Sequence, residues 1–336
     1  MKHVNIALFV VHKGCPHTCS FCNQRSITGI EKEIGPEDVR KAAQTALGSL
    51  DESEARGGEI AFFGGSFTMV NRDYMMSLLD AAYEYVERGL FKGIRISTRP
   101  DGIDDGICSL LKSRGVTAVE LGAQSMNDRV LEMNERGHTA QQVADASVML
   151  KDYGFELGLQ MMTGLYGSDD EDSIETAKKI IDLRPATVRI YPTVVLRNTK
   201  LHELMQKGEF EPADVEHSVS LCARLIPMFE QNGIKVIRVG LHSGGDVEKN
   251  YAGGAYHPAF RELCEGRIFL NAALRELSSE APGRYIIEVG KGNVSKMTGQ
   301  KRFNLDYLAE RGYECTVREA DLKEKYEIKV RLNNDT

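Results

Sequence analysis

The sequence predicts an α/β fold built as an open parallel barrel, and three observations point to it. Short apolar runs alternate with longer amphipathic stretches from the N-terminus to about residue 240, the rhythm of repeated strand–helix units. Several of the strands alternate polar and apolar residues, whereas strands packed on both faces read as continuous apolar runs. Because strand side chains have a period of two, each polar set shares one face and would line an interior that is not filled with branched apolar side chains.

In order, strands are expected over residues 6–11, 59–63, 93–97, 117–122, 155–161, 187–191 and 235–240. The first two are apolar runs, IALFVV and, after Glu59, IAFF. In the third, Ile94 and Ile96 oppose Arg95 and Ser97; in the fourth, Val119, Leu121 and Ala123 oppose Glu120, Gly122 and Gln124. The fifth sets Phe155, Leu157, Leu159 and Met161 against Glu156, Gly158 and Gln160, and the sixth sets Val188 and Ile190 against Arg189 and Tyr191. Helices are expected over 36–50, where Pro36 suits a first turn, and over 71–88, 104–113, 140–153, 168–183 and 213–232.

Beyond about residue 282 the character changes to strand, helix and two strands, with eleven basic against nine acidic residues. Two domains are therefore expected, a barrel over 1–245 and a small α+β extension over 246–336. The chain as a whole is acidic, with a net charge of -7 over 336 residues and a pI near 5.7. It carries no apolar run of the ~20 residues a bilayer requires and no signal-peptide pattern, so no membrane association and a cytoplasmic location are expected.

Cys15, Cys19 and Cys22 stand as C-x3-C-x2-C just after the first strand. Three thiolates on one loop suit three irons of a [4Fe-4S] cube and leave the fourth iron open to a small molecule. A structural zinc site would need a fourth ligand, His12 or His17, and lacks a second C-x2-C knuckle. Cys108, Cys222, Cys264 and Cys315 are widely separated and read as small buried residues, so no second cluster is expected.

The triad, with Phe21 before its last cysteine, occurs with FFGGSF at 62–67, STRPD at 97–101, GAQSMND at 122–128, RGH at 136–138 and RIYPT at 189–193. Over roughly residues 4–270 this set resembles radical S-adenosylmethionine (SAM) enzymes, in particular the radical SAM half of the Elongator catalytic subunit, which modifies tRNA. The resemblance implies a partial (β/α)6 TIM-type barrel, one [4Fe-4S] cluster on Cys15, Cys19 and Cys22, and SAM chelating the open iron. It implies reductive cleavage of SAM to a 5'-deoxyadenosyl radical, with an external flavodoxin- or ferredoxin-type electron donor. It places Gly64, Gly65 and Ser66 at the amino group of SAM, although most members carry Glu where this chain has Ser66. Ser97, Thr98 and Arg99 fall near the ribose or carboxylate, Gln124 and Gln160 near the ribose and adenine, and Phe21 against the adenine. The acetyltransferase domain of the Elongator subunit is not expected within these residues.

Tyr191 and His257 are candidate catalytic residues, since both side chains transfer protons; His257 follows a Gly-Gly turn in NYAGGAYHPAF, which reads equally as a structural loop. Arg136 and His138 either reach the lumen or cap the preceding helix. In the tail, GQKRFNLDYL faintly resembles an RNA-clamping loop with Arg302 in place of a glycine, and Lys291, Lys296, Lys301 and Arg302 are candidate phosphate contacts for tRNA. Three functions are open: a radical SAM enzyme on RNA, one on a small molecule as in coproporphyrinogen oxidation, and a non-catalytic iron–sulfur binding module.

Overall fold

The computed structural model describes residues 4–10, 15, 18–23, 33–241 and 246–333. Its chain divides into two compact units, residues 1–214 with 228–256, and 215–227 with 257–336. The expected boundary after residue 245 therefore moves past the strand Tyr251–Gly254, which pairs inside the first unit.

The first unit is built on a sheet of seven strands in the order β1-β2-β3-β4-β5-β6-β8. These are β1 (Asn5–Val10), β2 (Glu59–Gly64), β3 (Gly93–Thr98), β4 (Val116–Gln124), β5 (Glu156–Thr163), β6 (Thr187–Pro192) and β8 (Lys235–Val239). All six pairings are parallel, and the order is open at β1 and β8. This is an open parallel α/β barrel, as expected. A short antiparallel pair, β7 (Val194–Leu196) with β9 (Tyr251–Gly254), was not foreseen. It turns the Gly-Gly of NYAGGAYHPAF from a loop into a strand: a Cβ on Gly254, at φ +88°, would meet the Thr193 carbonyl oxygen at 2.6 Å.

Outside the sheet run the helices Pro36–Ser49, Arg72–Glu87, Asp105–Ser113, Ala140–Asp152 and Asp170–Asp182, each within two residues of its expected bounds. Their starts follow local chemistry. Asn71, Asp104, Thr139 and Asp169 each accept backbone N–H bonds at the first turn, and Pro36 opens its helix. The apolar strand sets face outward under these helices: Ile94, Ile96, Val119, Leu121, Ala123, Met161, Val188 and Ile190 are all fully buried.

The polar sets face inward and meet. Arg95 bonds Glu59 at 2.7 Å and Glu156 at 2.6 Å, and lies 3.5 Å from Glu120. Arg189 grips both oxygens of Glu120, at 2.6 and 2.9 Å, and Gln160 donates to the same carboxylate at 2.9 Å. The lower lumen is thus a charge-paired floor. The ladder is bulged beside Arg95, Gln124 and Arg189, where a local kink re-aims side chains.

The second unit has the strands β10 (Gly283–Gly290), β11 (Tyr313–Ala320) and β12 (Ile328–Leu332) in the order β11-β10-β12. Helices Phe260–Leu277, Val294–Thr298 and Phe303–Ala309 pack on them around Phe269, Leu277, Ile287, Val289, Met297 and Leu308.

Candidate active site

The C-terminal ends of the parallel strands deliver their side chains to the barrel mouth, and Cys15, Cys19 and Cys22 arrive there on the loop after β1. The three line one pocket of about 310 Å³. Around it stand Gly64 and Gly65 after β2, Ser97, Thr98 and Arg99 at the end of β3, Gly122 and Gln124 at the end of β4, and Gln160 in β5. Between the cysteines, Ser20 anchors the loop. Its buried hydroxyl donates to Asn134 Oδ1 at 2.8 Å, and its carbonyl accepts the Leu201 N–H at 2.9 Å. The Cys22 N–H donates to the Cys19 carbonyl at 3.0 Å, closing a turn.

Cys19 is buried, Cys22 half-buried and Cys15 exposed, and all three line the pocket. Desolvation raises the Cys15 pKa and neighbouring Cys19 adds to it, while the Ser66 N–H, Arg99 and Arg136 pull it down. Two cations and an amide therefore face the position where anionic sulfur would stand.

Three buried polar atoms at this pocket have no hydrogen-bond partner: Gln124 Oε1, Arg99 Nη1 and Arg136 Nε. Folded proteins leave few such atoms, and three at one pocket mark a place for a ligand. Gln124 also sits at φ 64°, beside the β4 bulge, a strained backbone of the kind found at binding sites. Arg99 is fixed by Asp101, its Nε and Nη2 each donating at 2.8 Å, which leaves Nη1 turned away from that pair.

Ser66 and Gly64 also have structural partners of their own. The Ser66 hydroxyl is buried and engaged, lying 2.8 Å from Thr98 Oγ1 and accepting the Arg99 N–H at 3.2 Å, so its side chain is not presented to the pocket. Gly64, at φ +116°, is demanded by its neighbour strand before any ligand: a Cβ there would meet the Val10 carbonyl oxygen at 2.8 Å.

A second pocket of about 250 Å³ shares Phe21, Cys22, Gly64, Ser97, Gln124 and Gln160 with the first and continues over Phe9, Phe63, Met162, Arg189 and Tyr191. Burial raises the Tyr191 pKa, so its phenol stays a protonated donor at neutral pH. Arg189 lies 5.0 Å from the Phe63 ring centroid.

Residues 9–180 match the radical SAM superfamily, and residues 185–269 match the radical SAM C-terminal domain. The chain belongs to the radical SAM superfamily. It is an enzyme of that class. A tRNA uridine(34) acetyltransferase of Methanocaldococcus jannaschii is 35% identical over 129 residues, 38% of this chain and 24% of the relative. Human Elongator complex protein 3 is 32% identical over 190 residues, 51% of this chain and 35% of the relative. The chain thus spans a quarter to about a third of the length of these relatives. Among solved structures, an archaeal Elp3 of Methanocaldococcus infernus lacking its N-terminus shares the fold, with a TM-score of 0.63 at 20% identity over 84% of this chain and 66% of that one. No helix among the described residues is long and apolar enough to cross a membrane.

Radical SAM membership implies SAM and an iron–sulfur cluster, and the pocket fits them: three cysteines among its lining residues, with orphaned donors and an acceptor on Arg99, Arg136 and Gln124 beside them. Among the described residues no three His, Cys, Asp or Glu side chains are gathered as one metal ion would need, whereas a cube distributes its cysteines over separate irons. His12 and His17 lie outside the described residues.

The structure thus brings together the three cysteines, Phe21, the residues of β2 to β5 and Tyr191. His257 falls in the second unit, where its Nδ1 accepts the Ala259 N–H at 3.0 Å at the start of the helix Phe260–Leu277. Arg136 is the residue whose place was left open; the RGH motif was its signal, and it lies in the cysteine pocket. His138 is buried beside it, its Nε2 3.2 Å from the Ala123 carbonyl oxygen.

Burial, then Arg136 and Arg99, lower the His138 pKa to about 4. The unfolded chain binds this proton near pH 6.5 and the folded one does not, so stability present above pH 6.5 is lost as pH falls towards 4, by about 3 kcal/mol in all. The urea midpoint of the wild type should fall across that window by more than that of His138→Gln; parallel pH profiles would contradict the assignment.

Proposed function

We propose that the chain holds a [4Fe-4S] cluster on Cys15, Cys19 and Cys22, cleaves SAM reductively with an electron from a flavodoxin- or ferredoxin-type donor, and acts on tRNA. The observation that carries the reading is the meeting of three cysteines with the orphaned Gln124, Arg99 and Arg136 atoms in one pocket at the barrel mouth. When bound, the cluster and SAM supply hydrogen-atom abstraction begun by one-electron cleavage of the sulfonium. The chain supplies position and a dry site. Gly64 and Gly65 offer backbone groups to the amino end of SAM, Arg99 offers Nη1 to its carboxylate, and Ser97, Gln124 and Gln160 face its ribose and adenine with Phe21 as an apolar wall. Ser66 and Thr98, bonded to each other, hold the shape of that wall. Tyr191 offers a protonated hydroxyl to the substrate.

The tRNA target is supported by relatives named for tRNA uridine(34) and for Elongator. In the lumen, Arg95 and Arg189 are committed to Glu59, Glu120 and Glu156. A small substrate bearing several carboxylates, as in coproporphyrinogen oxidation, would find few free cations there. The basic tail contributes less than its composition suggests. Arg284 pairs with Glu314, Arg331 with Glu288 and Lys296 with Glu265, at 3.1, 2.6 and 2.9 Å. Lys301 and Arg302 are both exposed, on a left-handed turn at φ 52° and 66°, with Arg302 3.9 Å from Asp306.

Anaerobic reconstitution with SAM and dithionite should yield 5'-deoxyadenosine, with a mass change on total tRNA. Deoxyadenosine formed only with a metabolite extract would replace tRNA by a small substrate. If Lys301 and Arg302 touch phosphates, the double alanine variant should weaken a salt-sensitive tRNA gel shift and lower its salt slope by about 2. An unchanged slope removes the tail from the interface.

A further inference from the structure

Among the arginines enclosed in the barrel, Arg136 is the one whose side-chain partner is a sulfur. Arg95, Arg99 and Arg189 are held by glutamate or aspartate. Arg136, 6% exposed, donates from Nη1 to Cys19 Sγ at 3.0 Å and from Nη2 to the Gly122 carbonyl at 2.7 Å, and its Nε has no partner. Among the described residues no carboxylate forms an ion pair with it. A guanidinium removed from water without an anion is strongly unfavourable, so the fold keeps it there against a negative charge that the thiol alone does not supply. The backbone is set for this purpose: Glu135 and Gly137, on either side, both lie in the left-handed region at φ 54° and 67°, and the Phe21 ring lies 5.9 Å from the guanidinium carbon.

We infer that Arg136, donating to Cys19 Sγ, is the electrostatic partner of the cluster and sets its reduction potential. The inference rests on the cluster proposed above. One electron enters from a low-potential donor, no bond forms or breaks, and Arg136 keeps its proton throughout. In a desolvated site a fixed cation favours the state with the added electron, so it raises the potential and makes the first step accessible to a weaker reductant. Arg136 is in this sense a tuning residue, acting through Cys19.

The test is a mediated potentiometric titration, followed by electron paramagnetic resonance, of anaerobically reconstituted wild type, Arg136→Lys and Arg136→Gln. The glutamine variant should be at least tenfold less reduced than wild type at a fixed poise, a shift of 59 mV to more negative potential, and the lysine variant should stay nearer to wild type. An unchanged or more positive midpoint for Arg136→Gln overturns the inference, as does an equal shift in both variants, which marks a merely structural contact. Should Arg136→Gln lose the cluster while Arg136→Lys keeps it, the charge is the requirement and the inference stands; loss from both variants overturns it. A wild type that takes up no cluster sinks the proposed function as well, whereas a loaded wild type with an insensitive midpoint sinks this inference alone.

Discussion

Single serine substitutions at Cys15, Cys19 and Cys22 are each expected to remove the visible iron–sulfur absorbance of the anaerobically reconstituted protein and to cut 5'-deoxyadenosine formation by more than about 100-fold, since even partners of metal ligands cost 10- to 100-fold. The argument is one of coordination number. A cube held at three corners has no protein ligand to spare, and a serine hydroxyl is far less acidic and softer metals bind it poorly. Cys19 should be the most sensitive of the three, because it is buried and bonded to Arg136 at 3.0 Å, and a serine there leaves that cation facing a neutral oxygen. The control is internal. Cys108, Cys222 and Cys264 are buried elsewhere; Cys264 has its pKa driven up by burial and then by Cys222. Serine at any of these should leave iron content unchanged. Full iron content in any one of the three triad variants would remove that cysteine from the ligand set.

Much of this arrangement was legible in the strands, because a period of two is a strong signal when one face must be polar. Arg95, Glu120, Glu156, Gln160 and Arg189 were all assigned to the lumen on alternation alone, and all five meet there. Alternation could not separate floor from mouth. Which polar residues pair with one another depends on how the seven strands stagger, and that stagger is set by bulges that leave no mark in a single sequence. Glu59 was missed as the third carboxylate for the same reason: it opens an apolar run and reads as a strand boundary, although it is fully buried. The strands β7 and β9 were missed because three and four residues are too few to show a period. The Ser66 hydroxyl is short enough to be satisfied by Thr98 and the Arg99 N–H, where a longer carboxylate would reach past them.

Replacing Arg95 by methionine is expected to destabilise the protein by about 3–5 kcal/mol, the usual consequence of removing one member of a buried ion pair. Arg95 is 2% exposed and stands between Glu59 and Glu120, which are 0% and 1% exposed, with Glu156 completing the contact at 2.6 Å. Taking the guanidinium away removes the 2.7 Å ion pair from Glu59, to which the Thr117 hydroxyl still donates at 2.9 Å, and leaves Glu120 to Arg189 and Gln160. The loss is therefore one of uncompensated charge more than of packing, since methionine nearly fills the same volume. Arg95→Met combined with Glu59→Gln should recover part of the stability, because an amide in the same place needs no counter-ion; a double-mutant cycle on thermal unfolding of the apoprotein measures that coupling. A deficit below about 1 kcal/mol for Arg95→Met, or strict additivity of the two changes, would show that water reaches the floor of the barrel. The same network also bears on the chemistry above it. Glu120 holds Arg189 and Gln160, both of which line the apolar pocket beside the cysteines, so a rearranged floor moves the walls against which the substrate must be positioned.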